Sequence, residues 1–211
     1  MRKEVIFTGS KGEKIRAFEW SGKKATIIFA HGYNGRKEDW EEWPEILAEK
    51  GYRVITFDFP PPHELKHNVE ILESILNKIK GKVGLVGYSL GGTAAINIAA
   101  KNKNITCLVT FVAPHAYFTN ETGKHNIQIN TLDKAKLVKC PWLMFYATED
   151  SVVPFKQGKD LFAVANEPKK FVALKGVDHD LDIETANQSL IEMTKWFGRY
   201  LGGKNGKKKR T

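Results

Sequence analysis

KVGLVGYSLGGTAAINIAA, residues 82–100, is the stretch on which the fold turns. Val83, Leu85 and Val86 make a short apolar run of the kind that forms a strand buried on both faces, and Gly87 ends it. Gly87-Tyr88-Ser89-Leu90-Gly91 then reads G-x-S-x-G, followed by Gly92 and a small-residue helix, Thr93 to Ala100. A serine at the tip of a sharp strand-to-helix turn takes a strained backbone conformation. The glycines beside it are needed where a Cβ would strike the facing strand or helix. Its hydroxyl is held out of the sheet at a helix N-terminus, where backbone N–H groups and the positive end of the helix dipole favour an oxyanion. The plainer alternative is an ordinary turn in which Ser89 is an N-cap, a role serine favours.

Outward from this element the pattern repeats. Residues 4–8 and 14–20 both alternate apolar and polar, with turn chemistry at Gly9-Ser10-Lys11-Gly12 between them, so they predict a β-hairpin. Ala25 to Ala30 is a continuous apolar run ending at His31-Gly32. Lys37 to Lys50 is helix-like, with Trp40, Trp43, Ile46 and Leu47 at helical spacing and the indoles as core packing. Tyr52 to Phe57 is a strand stopped by Asp58 and three prolines. Leu65, Val69, Leu72, Ile75, Leu76 and Ile79 then recur at helical spacing. Beyond the central element come a strand at Ile105 to Ala113 and an aperiodic stretch from His115 to about Leu132, read as a mobile loop or a minimal lid. Strands at 141–147 and 171–174 and helices at 155–165 and 181–201 complete the chain. A hairpin followed by alternating strands and helices implies a mostly parallel sheet with helices on both faces. Ligands of such sheets bind outside the carboxyl ends of the strands.

The 211 residues suit one domain, expected over 1–202; 42% hydrophobic and 27% charged residues are ordinary for a globular chain. No apolar run approaches the roughly 20 residues of a membrane span, and the N-terminus lacks the apolar core of a secretory signal, so the expected location is cytoplasmic. Cys107 and Cys140 both stand in apolar surroundings and read as small buried hydrophobes. The net charge of +9 invites a nucleic-acid reading, but Lys204, Lys207, Lys208, Lys209 and Arg210 carry five of those charges. The remainder leaves no reason to expect nucleic acid at the body, and 203–211 reads as a disordered basic tail.

A serine hydroxyl is a weak nucleophile at neutral pH; it needs a base in hydrogen-bond reach and a third group to orient that base. Asp150, in ATEDSVVP (147–154), follows the penultimate strand, and His179, in GVDHDL (176–181), follows the last. Ser, Asp, His is the chain order this sheet topology uses. With HGYNG at 31–35 and GYSLGG at 87–92, these segments give a chain that resembles the α/β-hydrolase superfamily along nearly its whole length. The resemblance implies an α/β-hydrolase fold with an eight-stranded, mostly parallel sheet and an N-terminal antiparallel hairpin, in a small serine esterase with a minimal lid. It implies Ser89 as nucleophile, His179 as general base and acid, Asp150 as the orienting carboxylate, and the backbone N–H groups of Tyr33 and Leu90 as the oxyanion hole. The implied substrate is a small-molecule ester, with no cofactor and no metal. Thioester or amide cleavage on the same residues, and a non-catalytic ligand-binding relative, are the alternatives. Glu149 competes with Asp150, although the Ser-Val-Val-Pro that follows fits Asp150. Asp178 and Asp180 read as solvated loop residues, and His115 and His125 as surface residues.

His63-Glu64-Leu65-Lys66-His67 is literally H-E-x-x-H, a spacing that can chelate zinc. The two histidines sit at the proline-led start of a helix with no third ligand singled out downstream, and the pattern reads as coincidence on a solvated helix face. His31 is expected to shape its own loop through backbone hydrogen bonds.

Overall fold

The structure, a computed structural model, describes residues 1–40, 42–119 and 126–202; the expected basic tail at 203–211 and His125 lie outside them. In chain order the elements are β1 (Arg2–Thr8), β2 (Lys14–Trp20), β3 (Thr26–Ala30), α1 (Trp43–Glu49), β4 (Arg53–Phe57), α2 (Leu65–Leu76), β5 (Val83–Tyr88) and α3 (Ser89–Ala99). They continue with β6 (Ile105–Phe111), β7 (Tyr117–Thr119), β8 (Asn126–Gln128), α4 (Leu132–Ala135), β9 (Trp142–Ala147), α5 (Phe155–Val164), β10 (Lys169–Leu174) and α6 (Ile183–Tyr200).

Eight strands form one sheet in the order β1-β2-β4-β3-β5-β6-β9-β10. The β1–β2 hairpin and the β2–β4 pair are antiparallel, and every pair from β4 across to β10 is parallel. This is the α/β-hydrolase architecture that the sequence led us to expect.

Strand alternation divides the core into two layers. Ile28, Ala30, Ile55, Phe57, Leu85, Leu108, Met144 and Tyr146 pack on one face against α2, α3, α4 and α5. Their neighbours Ile27, Phe29, Val54, Val86, Val109, Phe111, Leu143 and Phe145 pack on the other face against α1 and α6. The central strands have no solvent face, and their uninterrupted apolar sequences follow from that. The parallel register brings Ala30 beside both Phe57 and Gly87, Tyr88 beside Phe111, and Ala147 beside Leu174. The loops that follow β3, β5, β9 and β10 therefore open on one edge of the sheet.

Several local expectations change. The helix expected over 37–50 begins only at Trp43, because Pro44 in its first turn lacks the N–H that an upstream turn of helix would use. Two turns replace the missing part, with Asp39 N–H donating to Arg36 C=O and Trp43 N–H to Trp40 C=O. In the aperiodic 115–132 stretch, β7 and β8 pair antiparallel, and residues 120–125 lie outside the described residues. The single turn α4, whose Ala135 is buried in the core, was not apparent from periodicity. Both cysteines are free, Cys107 buried and Cys140 half-buried, and burial holds both thiols well above the ordinary range. Among the described residues no helix is long and apolar enough to cross a membrane.

Candidate active site

Ser89 stands where β5 becomes α3, at φ +49°, a left-handed conformation that costs a non-glycine residue roughly 1–3 kcal/mol. Close packing around the turn enforces it. A Cβ on Gly91 would lie 2.1 Å from the carbonyl oxygen of His31 and 2.4 Å from that of Ala30, so only glycine lets α3 start this near to β3. Ser89 is buried, as the first residue of α3, and the amide of Leu90 follows in the first helical turn, where N–H groups have no partner within the helix.

The loop after β3 is fixed by its histidine. The backbone N–H of Phe59 donates to His31 Nε2 at 2.9 Å, so the ring proton is on Nδ1 and donates to the carbonyl of Gly32 at 2.8 Å. Burial pushes the His31 imidazole below its ordinary range and favours the neutral tautomer this pair of bonds requires. Gly35 N–H closes the turn onto the Gly32 carbonyl at 3.2 Å, with Asn34 at φ +56°. Tyr33 is held inside that turn. Its neighbour Gly32 is packed so closely on Ser89 that a Cβ there would come within 3.3 Å of the serine Cβ. His31 thus shapes its loop in the way expected of it.

Asp150 and His179 close on Ser89 from the ends of β9 and β10. His179 Nδ1 lies 3.0 and 2.9 Å from the two carboxylate oxygens of Asp150, and His179 Nε2 lies 3.1 Å from Ser89 Oγ. With Nδ1–H committed to the carboxylate, Nε2 presents a lone pair to the serine hydroxyl. The Asp150 side chain is 1% exposed, and its Oδ1 also accepts the N–H groups of Val152 at 2.9 Å and Val153 at 2.6 Å. Glu149, the competing carboxylate, is exposed, and its N–H donates to the Val177 carbonyl.

Two further side chains join this constellation, and the sequence reading did not single them out for it. Asp178, read as a solvated loop residue, is exposed yet bridges two loops: it accepts Ser151 N–H at 2.7 Å, Ser151 Oγ–H at 2.8 Å and His179 N–H at 2.6 Å. These donors hold its carboxyl below the usual range, Ser151 N–H contributing most. Tyr88 Oη donates to the carbonyl of His179. Its ring stacks on Phe111 (6.2 Å, 16°) and meets the imidazole of His179 edge-on (5.8 Å, 74°). Burial raises the Tyr88 phenol well above its ordinary range, so it remains a donor. Neither role carries a sequence signal, since each depends on atoms about 30 to 90 positions apart.

Two neighbouring cavities lie at this site, and only the larger has Ser89 in its wall. One, of about 570 Å³, includes Ser89, His179, Trp40, Trp43, Tyr88 and Ala186 in its walls. The other, of about 480 Å³, includes Leu90, Pro61, Pro62, Leu65 and Ile129; Tyr33 borders both. Trp40 and Trp43 also pack in the core as expected, against Phe29 and Phe111 respectively.

The histidine pair of the H-E-x-x-H pattern separates. His63 lines the smaller cavity, its ring edge-on to Tyr33, whereas His67 is buried on α2 with Nε2 unpaired, not on a solvated face. Among the described residues no three histidine, cysteine or acidic side chains converge as a metal set. His115 is also not a plain surface residue: its imidazole lies 3.4 Å from Asp160 and its N–H donates to Gln157 Oε1 at 2.8 Å, tying it to α5.

Comparison with known proteins agrees with this architecture. The family model described as "Dienelactone hydrolase family" matches residues 62–201, a span that includes Ser89, Asp150 and His179. The lysophosphatidylserine lipase ABHD12 of Macaca fascicularis is 23% identical over 187 residues, covering 70% of this chain and 47% of that protein. YfhR of Escherichia coli, whose name carries no activity, is 22% identical over 74% of this chain and 63% of its own length. The chain spans about half the length of the first curated relatives it matches. Among solved structures, an esterase domain from Rhodothermus marinus superposes with a TM-score of 0.76 at 22% identity, over 96% of this chain and all of that one. A Pyrococcus furiosus esterase gives 0.81 at 19% identity, over 96% and 93%. At these identities the structural likeness establishes the fold.

Proposed function

We propose that this chain, which belongs to the dienelactone hydrolase family, is a serine hydrolase cleaving a carboxylic ester of small or medium acyl chain through an acyl-enzyme on Ser89. The single observation that carries the reading is the continuous chain of hydrogen-bond contacts from Asp150 through His179 to Ser89.

In this reading Ser89 Oγ attacks the ester carbonyl as its proton passes to His179 Nε2, and the Oγ–C bond forms while the carbonyl oxygen becomes an oxyanion. The amides of Tyr33 and Leu90 receive that oxyanion, the first from the turn braced by His31 and the second from the start of α3. Collapse breaks the bond to the alcohol, and the proton on Nε2 goes to the departing oxygen. Water attacks the acyl-enzyme, gives a proton to Nε2, and that proton returns to Ser89 Oγ as the carboxylic acid leaves. Asp150 stabilises the imidazolium formed in each half. No step consumes an oxidant, a reductant or a second substrate other than water.

The esterase and lipase names of the relatives support the ester as substrate class; the lysophospholipid in one of those names belongs to a protein about twice the span matched here. The test is turnover of short p-nitrophenyl esters by wild type, Ser89→Ala and His179→Ala. Losses of at least about 10³-fold in both variants, with their folds intact, are expected. Turnover that survives Ser89→Ala would overturn the reading.

A further inference from the structure

The cavity lined by Ser89 and its neighbour lined by Leu90 differ in a way that the chemistry can orient, given the acyl-transfer reading above. The base that takes the serine proton must later reach the oxygen of the departing alcohol, so the alcohol has to lie on the side of the serine from which His179 Nε2 approaches. His179 lines the larger cavity, together with Trp40, Trp43 and Ala186, and takes no part in the smaller one. The smaller cavity begins at Leu90, whose amide is the proposed oxyanion donor and whose side chain packs with Ile129 and Val153. A carbonyl held by that amide and attacked by Ser89 has two substituents. With the carbonyl oxygen at that amide and the alcohol oxygen turned toward His179, the remaining substituent is left on the side away from His179, where the smaller cavity adjoins Leu90.

We infer that the smaller cavity is the acyl pocket and the larger one the alcohol cleft, so that Leu65, Leu90 and Ile129 set acyl-chain length while Trp40, Trp43 and Ala186 receive the leaving group. The smaller cavity presents Pro61, Pro62, Leu65, Leu90 and Ile129 as an apolar wall, with Tyr33, His63 and Glu64 as its other lining residues. Its volume of about 480 Å³ falls within the range that encloses small-molecule ligands. The substrate class is thereby narrowed to esters of an apolar acyl group. Each methylene added to the acyl chain gains about fourfold in kcat/KM until the pocket is full. The alcohol portion is sorted separately, by a wall of indole rings and the start of α6.

Two substrate series separate the two cavities: p-nitrophenyl esters from acetate to laurate, which vary only the acyl chain, and phenyl, 1-naphthyl and benzyl acetates, which vary only the alcohol. Ile129→Trp should move the acyl optimum toward acetate, with at least about a tenfold loss on octanoate relative to acetate, and Ile129→Ala should move it the other way. Neither should reorder the alcohol series. Ala186→Trp should reorder the alcohol series and leave the acyl profile in place. Circular dichroism checks each fold, and the opposed Ile129 pair keeps the test decisive if one variant is unstable. A crossed pattern, or acyl profiles that ignore both Ile129 variants in an active enzyme, would overturn the assignment alone. A folded wild type that turns over no ester and reacts with no fluorophosphonate would overturn the acyl-transfer reading with it.

Discussion

Tyr88 Oη donates to the main-chain carbonyl of His179, joining the residue before the candidate nucleophile to the residue that carries the candidate base. One side chain thus spans from the end of β5 to the loop after β10. Tyr88→Phe keeps the stacking on Phe111 and removes only this bond. A net hydrogen bond contributes about 0.5–1.5 kcal/mol, so kcat should fall roughly 2–12-fold, with KM nearly unchanged. Steady-state kinetics on a p-nitrophenyl ester decide it; a KM effect with unaltered kcat would instead make Tyr88 a substrate contact.

Asp178 holds the other side of the same residue, through His179 N–H, and ties it to Ser151 beside Asp150. Asp178→Ala should lower kcat roughly tenfold or more, and Asp178→Asn, which keeps an acceptor oxygen, should restore part of it. Its folded pKa lies below the unfolded value, so its contribution to stability is present above the ordinary aspartate pKa of about 3.9 and is lost as pH falls through the lowered value. Titration of Asp178 should therefore fall well below neutrality, so that wild type and Asp178→Asn share the same shape of pH–rate profile around neutrality, which kinetics on the two proteins side by side would check.

Ser89, Asp150 and His179 could be singled out from the sequence because each follows a run that reads as a strand, in motifs and a chain order that resemble the α/β-hydrolases, and parallel strands deliver their carboxyl ends to one edge. What escaped the reading has physical reasons. Asp178 looks like any acidic loop residue until the β9 and β10 loops are brought together, and Tyr88 looks like a spacer in G-x-S-x-G until its ring reaches His179. Trp40 sits at helical spacing from Trp43 and Leu47, yet Pro44 starts the helix later and leaves Trp40 in a turn against Phe29. His67 shares the periodicity of a solvated face, but the packing of α2 against the hairpin side of the sheet buries it.

His31 gives a pH signature of the same sign in a higher pH window. Its folded pKa is depressed by burial, so the unfolded chain takes up a proton first as pH falls below about 6.5. The His31-dependent part of stability is complete above that value and declines as pH falls toward the depressed folded pKa, with a slope of at most about 1.4 kcal/mol per pH unit. Urea unfolding at pH 8 and pH 5 should show a larger acid loss in wild type than in His31→Gln. Equal losses would mean that the imidazole is not held neutral.

The alcohol cleft carries Asp39, Asp178 and Asp180, with no lysine or arginine among its described lining residues. Esters whose leaving group bears a negative charge should be hydrolysed several-fold more slowly than neutral isosteres, with the gap narrowing as salt is raised. Asp180→Asn should narrow it as well; Asp180 is exposed, which leaves the fold indifferent to the change. Comparing kcat/KM for a neutral and a sulfonated phenyl acetate at two salt concentrations measures both effects.

The most direct test of the central claim is to trap the nucleophile: react the protein with a fluorophosphonate, digest it, and locate the phosphonyl group by mass spectrometry. The account predicts one adduct, on Ser89, absent from Ser89→Ala and formed far more slowly by His179→Ala. A folded wild-type protein that takes no label, or carries it on a residue other than Ser89, would contradict it.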